Sequence, residues 1–215
     1  MLTLYTYFRS SAAYRVRIAL NLKDLPWDSV PVHLVRDGGE QGRPEHLARN
    51  PLGLVPVLQT DDGMLTQSLA IIEYLEETVP EPALLPADPS GRARVRALAQ
   101  AIACDIHPLN NLRVLRYLGG ELGIDEQARN TWYRHWVETG LAALERMLAT
   151  DPRTGTFCHG DSPTLADCCL VPQVFNARRF DCRLDDKPTI LRIVDACDQV
   201  EAFRRAAPGN QPDAQ

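Results

Sequence analysis

The spacing of apolar residues changes near residue 80, and this change restricts the possible folds more than any other feature of the chain. Before it, short alternating β-prone runs take turns with runs of helical period. After it, every apolar run has helical spacing and no strand signal competes. Pro80, Pro82, Pro86 and Pro89 crowd the join, where they would damage a helix interior or a central strand. The 215 residues suffice for two such domains. The reading is a mixed α/β domain over 1–82 and an all-α domain over 88–215.

Within the first domain, Leu2 to Tyr7 alternates as a strand, and Phe8-Arg9-Ser10-Ser11 follows as a polar loop. Tyr14 to Lys23 has a helical pattern, with Arg15, Arg17 and Lys23 as its polar residues. Asp28 to Leu34 is a second strand, and Pro31 points to an edge position. A Gly-rich turn at Asp37-Gly38-Gly39 opens a polar stretch with room for a short helix, ending at Asn50-Pro51-Leu52-Gly53. Val55 to Gln59 and Met64 to Thr66 form a hairpin around Asp61-Asp62-Gly63, and Ser68 to Glu77 is a helix. This β-α-β, loop, β-β-α order is that of a thioredoxin-like domain. In the second domain, helices are expected over Ser90–Leu118 with a kink at Pro108, over Asp125–Leu148 and from Thr164 towards Arg179, with one or two more over Ile190–Arg205. Thr164 with Asp167 three residues on is a capping-box signal. The tail from Pro208 reads as polar and loose.

Charge and cysteine narrow the function classes. A net charge of −5 argues against nucleic acid as the main partner and against a polybasic membrane anchor. No apolar run reaches membrane-spanning length, and the N-terminus lacks a signal-peptide pattern. A cytoplasmic protein is expected. The six cysteines, Cys104, Cys158, Cys168, Cys169, Cys182 and Cys197, are irregularly spaced and form no CxxC or zinc pattern. They read as reduced, mostly buried residues, and no metal is expected. Residues 1–103 contain no cysteine.

That absence matters because the loop before the first helix is where a thioredoxin-like domain does thiol chemistry. A helix N-terminus favours anions, thiolates included. Its dipole contributes up to ~2 kcal/mol, and a hydroxyl hydrogen bond to the charged group adds about 1.5–3 kcal/mol. At about 1.4 kcal/mol per pKa unit, together they could lower a thiol from near 8.5 by roughly 2. Ser10 and Ser11 are placed to give such a hydroxyl, but the chain has no thiol there to activate. Either the thiol arrives with a ligand, or the serines are an ordinary helix cap. Val55-Pro56 could be a cis step that presents backbone to an extended peptide, or a plain turn. Gln67-Ser68 at the next helix start suits a carboxylate and an amino-acid head group, or is simply a cap. Together these features outline a tripeptide site with two anion-friendly helix ends.

The stretch Tyr7-Phe8-Arg9-Ser10-Ser11-Ala12-Ala13-Tyr14-Arg15-Val16-Arg17 resembles the signature of zeta-class glutathione transferases, the maleylacetoacetate isomerases. Asn50-Pro51, Val55-Pro56, Gln67-Ser68 through Glu77, Leu165-Ala166-Asp167, Val171-Pro172-Gln173-Val174 and the Gln211-Pro212-Asp213 tail extend the resemblance along nearly the whole chain. It implies a thioredoxin-like domain plus an all-helical domain, a homodimer, and glutathione as a cofactor that is not consumed. The implied reaction is the isomerisation of maleylacetoacetate, a small dicarboxylate keto acid, to fumarylacetoacetate. By the same resemblance Ser10 and Ser11 would face the sulfur, and Gln41, Val55, Gln67 and Ser68 would bind the glutathione backbone. Arg9 and Arg179 would clamp substrate carboxylates, and His107 and Asn110 would line the pocket and touch the cofactor. Arg15 and Arg17 read as surface or structural residues, and Arg178 as solvated. One departure is Ala12, where the family often has cysteine. The bacterial branch that isomerises maleylpyruvate also lacks it, and Cys104 to Asn111 resembles that branch. Maleylpyruvate isomerase, a general conjugating or dehalogenating transferase, and a non-catalytic binding protein of the same fold remain the alternatives.

Overall fold

The computed structural model describes residues 1–214. They form two compact units, one of Met1–Leu84 joined by the segment from Asp198 onward, the other Leu85–Cys197. The α/β and all-α classes are both present. The segment after Asp198 returns to the first unit instead of staying with the helical one, and its partners explain why.

The first unit is built on a four-stranded sheet in the order β2-β1-β3-β4. Its strands are β1 (Leu2–Thr6), β2 (Trp27–Pro31), β3 (Val57–Thr60) and β4 (Gly63–Thr66). β1 runs parallel to β2 and antiparallel to β3, and β4 is antiparallel to β3. β2 is an edge strand, as Pro31 suggested, but it ends at Pro31 instead of continuing to Leu34. Its partner β1 stops at Thr6, so the last ladder bond available is Val32 N–H to the Thr6 carbonyl at 2.7 Å.

Helix α1 (Ser11–Leu22) starts three residues earlier than the periodicity suggested, because Ser10 caps it. The polar stretch holds short 3-10 turns at Arg36–Gly38 and Glu40–Gly42 and the one-turn helix α2 (Pro44–Leu47). Helix α3 (Ser68–Thr78) follows β4 and packs on α1. Leu4, Val16, Ile18, Leu20, Val57, Leu58, Ile71, Ile72 and Leu75 are buried in this unit.

The polar residues of α1 do not face water. Arg15, Arg17 and Lys23 are 2%, 0% and 4% exposed, which corrects the surface reading and leaves the structural one. Lys23 Nζ donates to Glu76 Oε2 at 2.8 Å and to the carbonyls of Val79 and Pro82 at 2.6 and 3.0 Å. Glu76 Oε2 also accepts from Leu84 N at 2.9 Å. The far end of α1 is thereby tied to the end of α3 and to the chain leaving it.

The tail is folded as well, against the expectation of a loose end. Helix α9 (Glu201–Ala206; α8 precedes it) packs on α1. Beyond it, Gln211 Nε2 donates to the carbonyls of Arg205 and Ala207 at 2.8 and 3.0 Å. Asp213 Oδ2 accepts from Phe8 N at 2.9 Å.

The second unit contains α4 (Pro89–Gln100), α5 (Leu112–Gly120), α6 (Glu126–Thr150), α7 (Leu165–Arg179) and nearly all of α8 (Pro188–Asp198). Asp88 and Asp125 cap α4 and α6. The single kinked helix expected over Ser90–Leu118 is broken instead. It widens to a π-helical stretch at Ala101–Ile106, tightens to a 3-10 turn at His107–Asn110, and restarts as α5. Pro108 has no N–H to continue the α-helical ladder, so the register shifts there.

The capping box is present and fully buried. Asp167 accepts from Thr164 N, Thr164 Oγ1 and Cys158 N at 2.8, 2.7 and 2.8 Å. Burial raises its pKa and these bonds oppose the rise. Of the six cysteines only Cys104 is exposed. Among the described residues no helix is long and apolar enough to cross a membrane, and no cluster of His, Cys, Asp and Glu could hold a metal ion.

Breaking a buried ion pair on one side leaves a charge without compensation. Lys23→Met is expected to lower the unfolding free energy by about 3–5 kcal/mol in chemical denaturation. Adding Glu76→Gln to it is expected to return part of that loss, since neither charge of the pair then remains buried. A further drop in the double variant would show that packing, not charge, dominates.

Candidate active site

In the first unit the site begins at the turn between β1 and α1. Ser10 N–H donates to the Tyr7 carbonyl at 2.9 Å, which closes the turn. Ser10 Oγ accepts from Ala13 N at 3.2 Å, so the ordinary capping role is real for this serine. Its hydroxyl hydrogen can still donate. Ser11, the first helical residue, is 4% exposed. No acidic side chain lies in the first turn of α1, so the positive helix end keeps its field. Arg9 is exposed; its Nη2 donates to Tyr7 Oη at 2.9 Å and its guanidinium lies 4.9 Å from the Phe8 ring. Hydrogen bond and cation–π contact together restrict the side chain.

The start of α3 is the second helix end. Its cap residue Gln67 has φ +69° and makes no side-chain capping bond. Such a backbone costs on the order of 1–3 kcal/mol in a non-glycine residue. No acid lies in the first turn of α3 either. Ser68 is buried, and its Oγ accepts from Arg15 Nη1 at 3.2 Å. A buried guanidinium therefore reinforces the positive end of α3, and the serine hydrogen is left to donate.

Two more of the expected residues lie in the same unit. Gln41 Nε2 donates to the Leu34 carbonyl at 3.4 Å, while its Oε1 is buried with no partner. Gly39 has φ +109°, and a Cβ there would run into the Gln41 amide, so only glycine lets that amide lie back over the turn. The Val55-Pro56 bond is cis. Val55 belongs to a buried apolar cluster with Tyr7, Phe8 and Val32. The carbonyl of Leu54, just before it, is held by Asn50 Nδ2 at 2.9 Å and by His46 Nε2 at 3.0 Å.

The second unit carries His107, Asn110 and Arg179. His107 Nε2 lies 3.3 Å from Asn111 Nδ2. Asn110 is buried, with its amide turned to donate to the carbonyls of Ile106 and His107 at 2.9 and 3.3 Å. Its nitrogen therefore serves the 3-10 turn. Arg179 is exposed; its Nη1 donates to Asn176 Oδ1 at 3.2 Å and its guanidinium lies 5.6 Å from the Phe180 ring.

Three consecutive residues of α6 hold both places, and the sequence reading missed them. Trp132 Nε1 donates to the Leu109 carbonyl at 2.7 Å. Tyr133 stacks on Phe180 with ring centroids 3.7 Å apart, and Arg134 Nε donates to the Phe180 carbonyl at 2.8 Å. Burial pushes the Tyr133 hydroxyl well above its usual range, so it stays neutral. No local pattern marks these three residues. The aromatic pair Trp132 and Trp136 on one helix was the available hint.

Two family descriptions match the chain: the N-terminal domain of glutathione S-transferases over residues 4–83 and the C-terminal domain over 126–206. A maleylacetoacetate isomerase of Pseudomonas aeruginosa is 53% identical over 211 residues, covering 98% of this chain and 97% of its own. A solved holo structure of a maleylpyruvate isomerase, described as a bacterial zeta-class glutathione transferase, is 51% identical with a TM-score of 0.96, covering 99% of this chain and 100% of its own. A maleylacetoacetate isomerase of Anaeromyxobacter dehalogenans, solved with glutathione in its active site, is 47% identical with a TM-score of 0.89, covering 100% and 98%. With likeness of this extent over the full length, the chain belongs to the zeta class of the glutathione S-transferase family.

Proposed function

We propose that the chain is a glutathione-dependent cis–trans isomerase that converts maleylacetoacetate to fumarylacetoacetate. The observation that carries this is the start of α1: a helix end with no acid in its first turn, Ser10 and Ser11 at its mouth, and no cysteine in residues 1–103. Such a site suits a thiolate that the chain does not own. The relatives named as isomerases support the substrate class.

The residues present fit a bound tripeptide. Gln41 offers a buried Oε1 that no protein group satisfies, which suits a ligand N–H. The uncapped start of α3, with Ser68 and the Arg15 guanidinium behind it, suits a carboxylate. Gln67 and the backbone of Val55 complete the cofactor set of the first unit; His107 and Asn110 are added to it by the family resemblance alone.

Glutathione, when bound, would supply the nucleophile: a thiolate whose reversible addition to the cis double bond would allow rotation to the trans isomer and return the thiolate unconsumed. Ser11 and Ser10 hold the sulfur as an anion by donating hydroxyl hydrogens alongside the helix field. Arg9 and Arg179 bind the substrate's carboxylates and stabilise negative charge as it builds on its carbonyl oxygen. Each guanidinium is steadied by a neighbouring ring, Phe8 for Arg9 and Phe180 for Arg179, which limits the entropy lost on binding. The working form is a homodimer in the cytoplasm, as the family resemblance implies.

Maleylpyruvate is a second reading, supported by the 0.96 TM-score to a maleylpyruvate isomerase. The two substrates share the reacting end, so kcat/KM measured side by side decides between them. With glutathione omitted, activity on either is expected to vanish; activity without glutathione would refute the borrowed thiol.

Ser11→Ala is expected to raise the pH at which bound glutathione ionises by about 1–2, one hydrogen bond to a charge at about 1.5–3 kcal/mol. An unchanged thiolate absorbance titration would assign the role to Ser10, whose replacement is tested in the same way. Arg179→Ala is expected to raise the substrate KM about 10–100-fold, again one charge-assisted contact, with glutathione affinity unaltered. Equal losses for both ligands would remove Arg179 from the substrate site.

A further inference from the structure

Residues 211–214 lie against the loop that opens the candidate active site. Phe8 directly precedes Arg9 and Ser10, and both polar atoms of its backbone are held from elsewhere. Its N–H donates to Asp213 Oδ2 at 2.9 Å, across 205 positions of sequence. Its carbonyl accepts from Arg17 Nη2 at 2.9 Å. Arg17 itself reaches the C-terminal segment, with Nε donating to the Ala206 carbonyl at 3.0 Å. Asp213 and Arg17 also attract each other electrostatically.

Asp213 is in turn held in place. Gln211 is 9% exposed, and its amide ties the turn to the end of α9. Ala214 N donates to the Gln211 carbonyl at 3.0 Å, and its side chain packs on the cluster of Tyr7, Phe8, Val32 and Val55. That cluster contains the residue before the cis proline as well as those before Arg9. One short segment thus touches two of the loops assigned to glutathione.

We infer that the Gln211-Pro212-Asp213 segment is a positioning element of the catalytic loop, acting through Phe8 on Arg9, Ser10 and the start of α1. The inference rests on the proposed use of glutathione at this loop. A surface tail without such a role would need neither a carboxylate on a loop N–H nor a buried glutamine to aim it. Without Asp213, Phe8 N–H loses its acceptor while Arg17 still holds the carbonyl, so the peptide is free to tilt about that bond. Displacement of reacting groups by about 1 Å costs up to roughly 100-fold in rate, so a tilt of this kind is visible in kcat before it is visible in stability.

The test compares Asp213→Ala and Asp213→Asn in the full-length protein with added glutathione. Asp213→Ala is expected to lower kcat at least roughly 10-fold and to raise the pH at which bound glutathione ionises, with Tm within a few degrees of the parent. Asp213→Asn keeps an acceptor oxygen for Phe8 N–H and is expected to restore most of both. An Ala variant with unaltered kcat and ionisation, or one whose loss of activity follows only a fall in Tm, would overturn the inference. Should the parent protein isomerise neither maleylacetoacetate nor maleylpyruvate, the substrate reading fails, while the ionisation of bound glutathione still decides the role of Asp213.

Discussion

The Arg17 guanidinium is fully buried and makes four hydrogen bonds that join three separate stretches of chain. Nε takes the Ala206 carbonyl, Nη1 takes Thr6 Oγ1 and the Tyr7 carbonyl, and Nη2 takes the Phe8 carbonyl. Burying such a charge costs several kcal/mol unless its donors find acceptors. Burial pushes its pKa down to about 10, with Tyr14 and Asp213 opposing the shift, so it remains a cation at neutral pH. Because the cost is offset only when all these acceptors are present, the end of β1, the loop after it and the C-terminal segment are fixed together. The helix that starts at Ser11 inherits its position from that arrangement.

The same logic holds α1 at its other end. Lys23 is buried against Glu76 and two carbonyls, so α1 has one cation clamped at its middle, another at its C-terminal cap, and apolar Ile18, Ala19 and Leu20 between them. Arg15, one turn into the helix and two residues before Arg17, reaches Ser68 at the start of α3. The polar residues of α1 therefore connect the helix to the sheet end, to α3 and to the tail, and they aim its N-terminus. A helix dipole is useful to a ligand only if its end stays put, since its influence falls off within the first turn. Fixing α1 by buried charges is a physical means to that end.

Local pattern made much of this architecture legible and non-local pairing hid the rest. Periodicity located every strand and most helices; Pro31 marked the edge strand, and Thr164 with Asp167 marked a capping box. The loop carrying Arg9, Ser10 and Ser11 was read in the right place because a strand ended and a helix began there. The charges of α1 were not legible as buried. A solvent-facing stripe and a buried one have the same spacing, and the carbonyls that satisfy Arg17 lie 9 to 189 positions away. The tail was read as loose for the same reason, as its acceptor Asp213 serves an N–H at the opposite end of the sequence. Trp132, Tyr133 and Arg134 carry no signal beyond the aromatic pair on α6, because their role is to grip the backbone of Leu109 and the ring and carbonyl of Phe180.

The treatment of sulfur follows from these constraints. Five of the six cysteines are buried, and burial raises thiol pKa values by disfavouring the charged form; Cys158 is pushed well above its usual range and Cys182 to about 11. Cys158 and Cys182 are therefore held in their unreactive, protonated form. At the start of α1 the conditions are reversed: an unopposed helix end, serine hydroxyls and alanine at position 12 where a cysteine would bring an anion of its own. Under the proposed function, a resident thiolate there would compete for the field with the thiolate of glutathione. Five of the six thiols are thus put away by burial, while the helix end best suited to a thiolate carries none of the chain's own sulfur, which agrees with the proposed use of glutathione there.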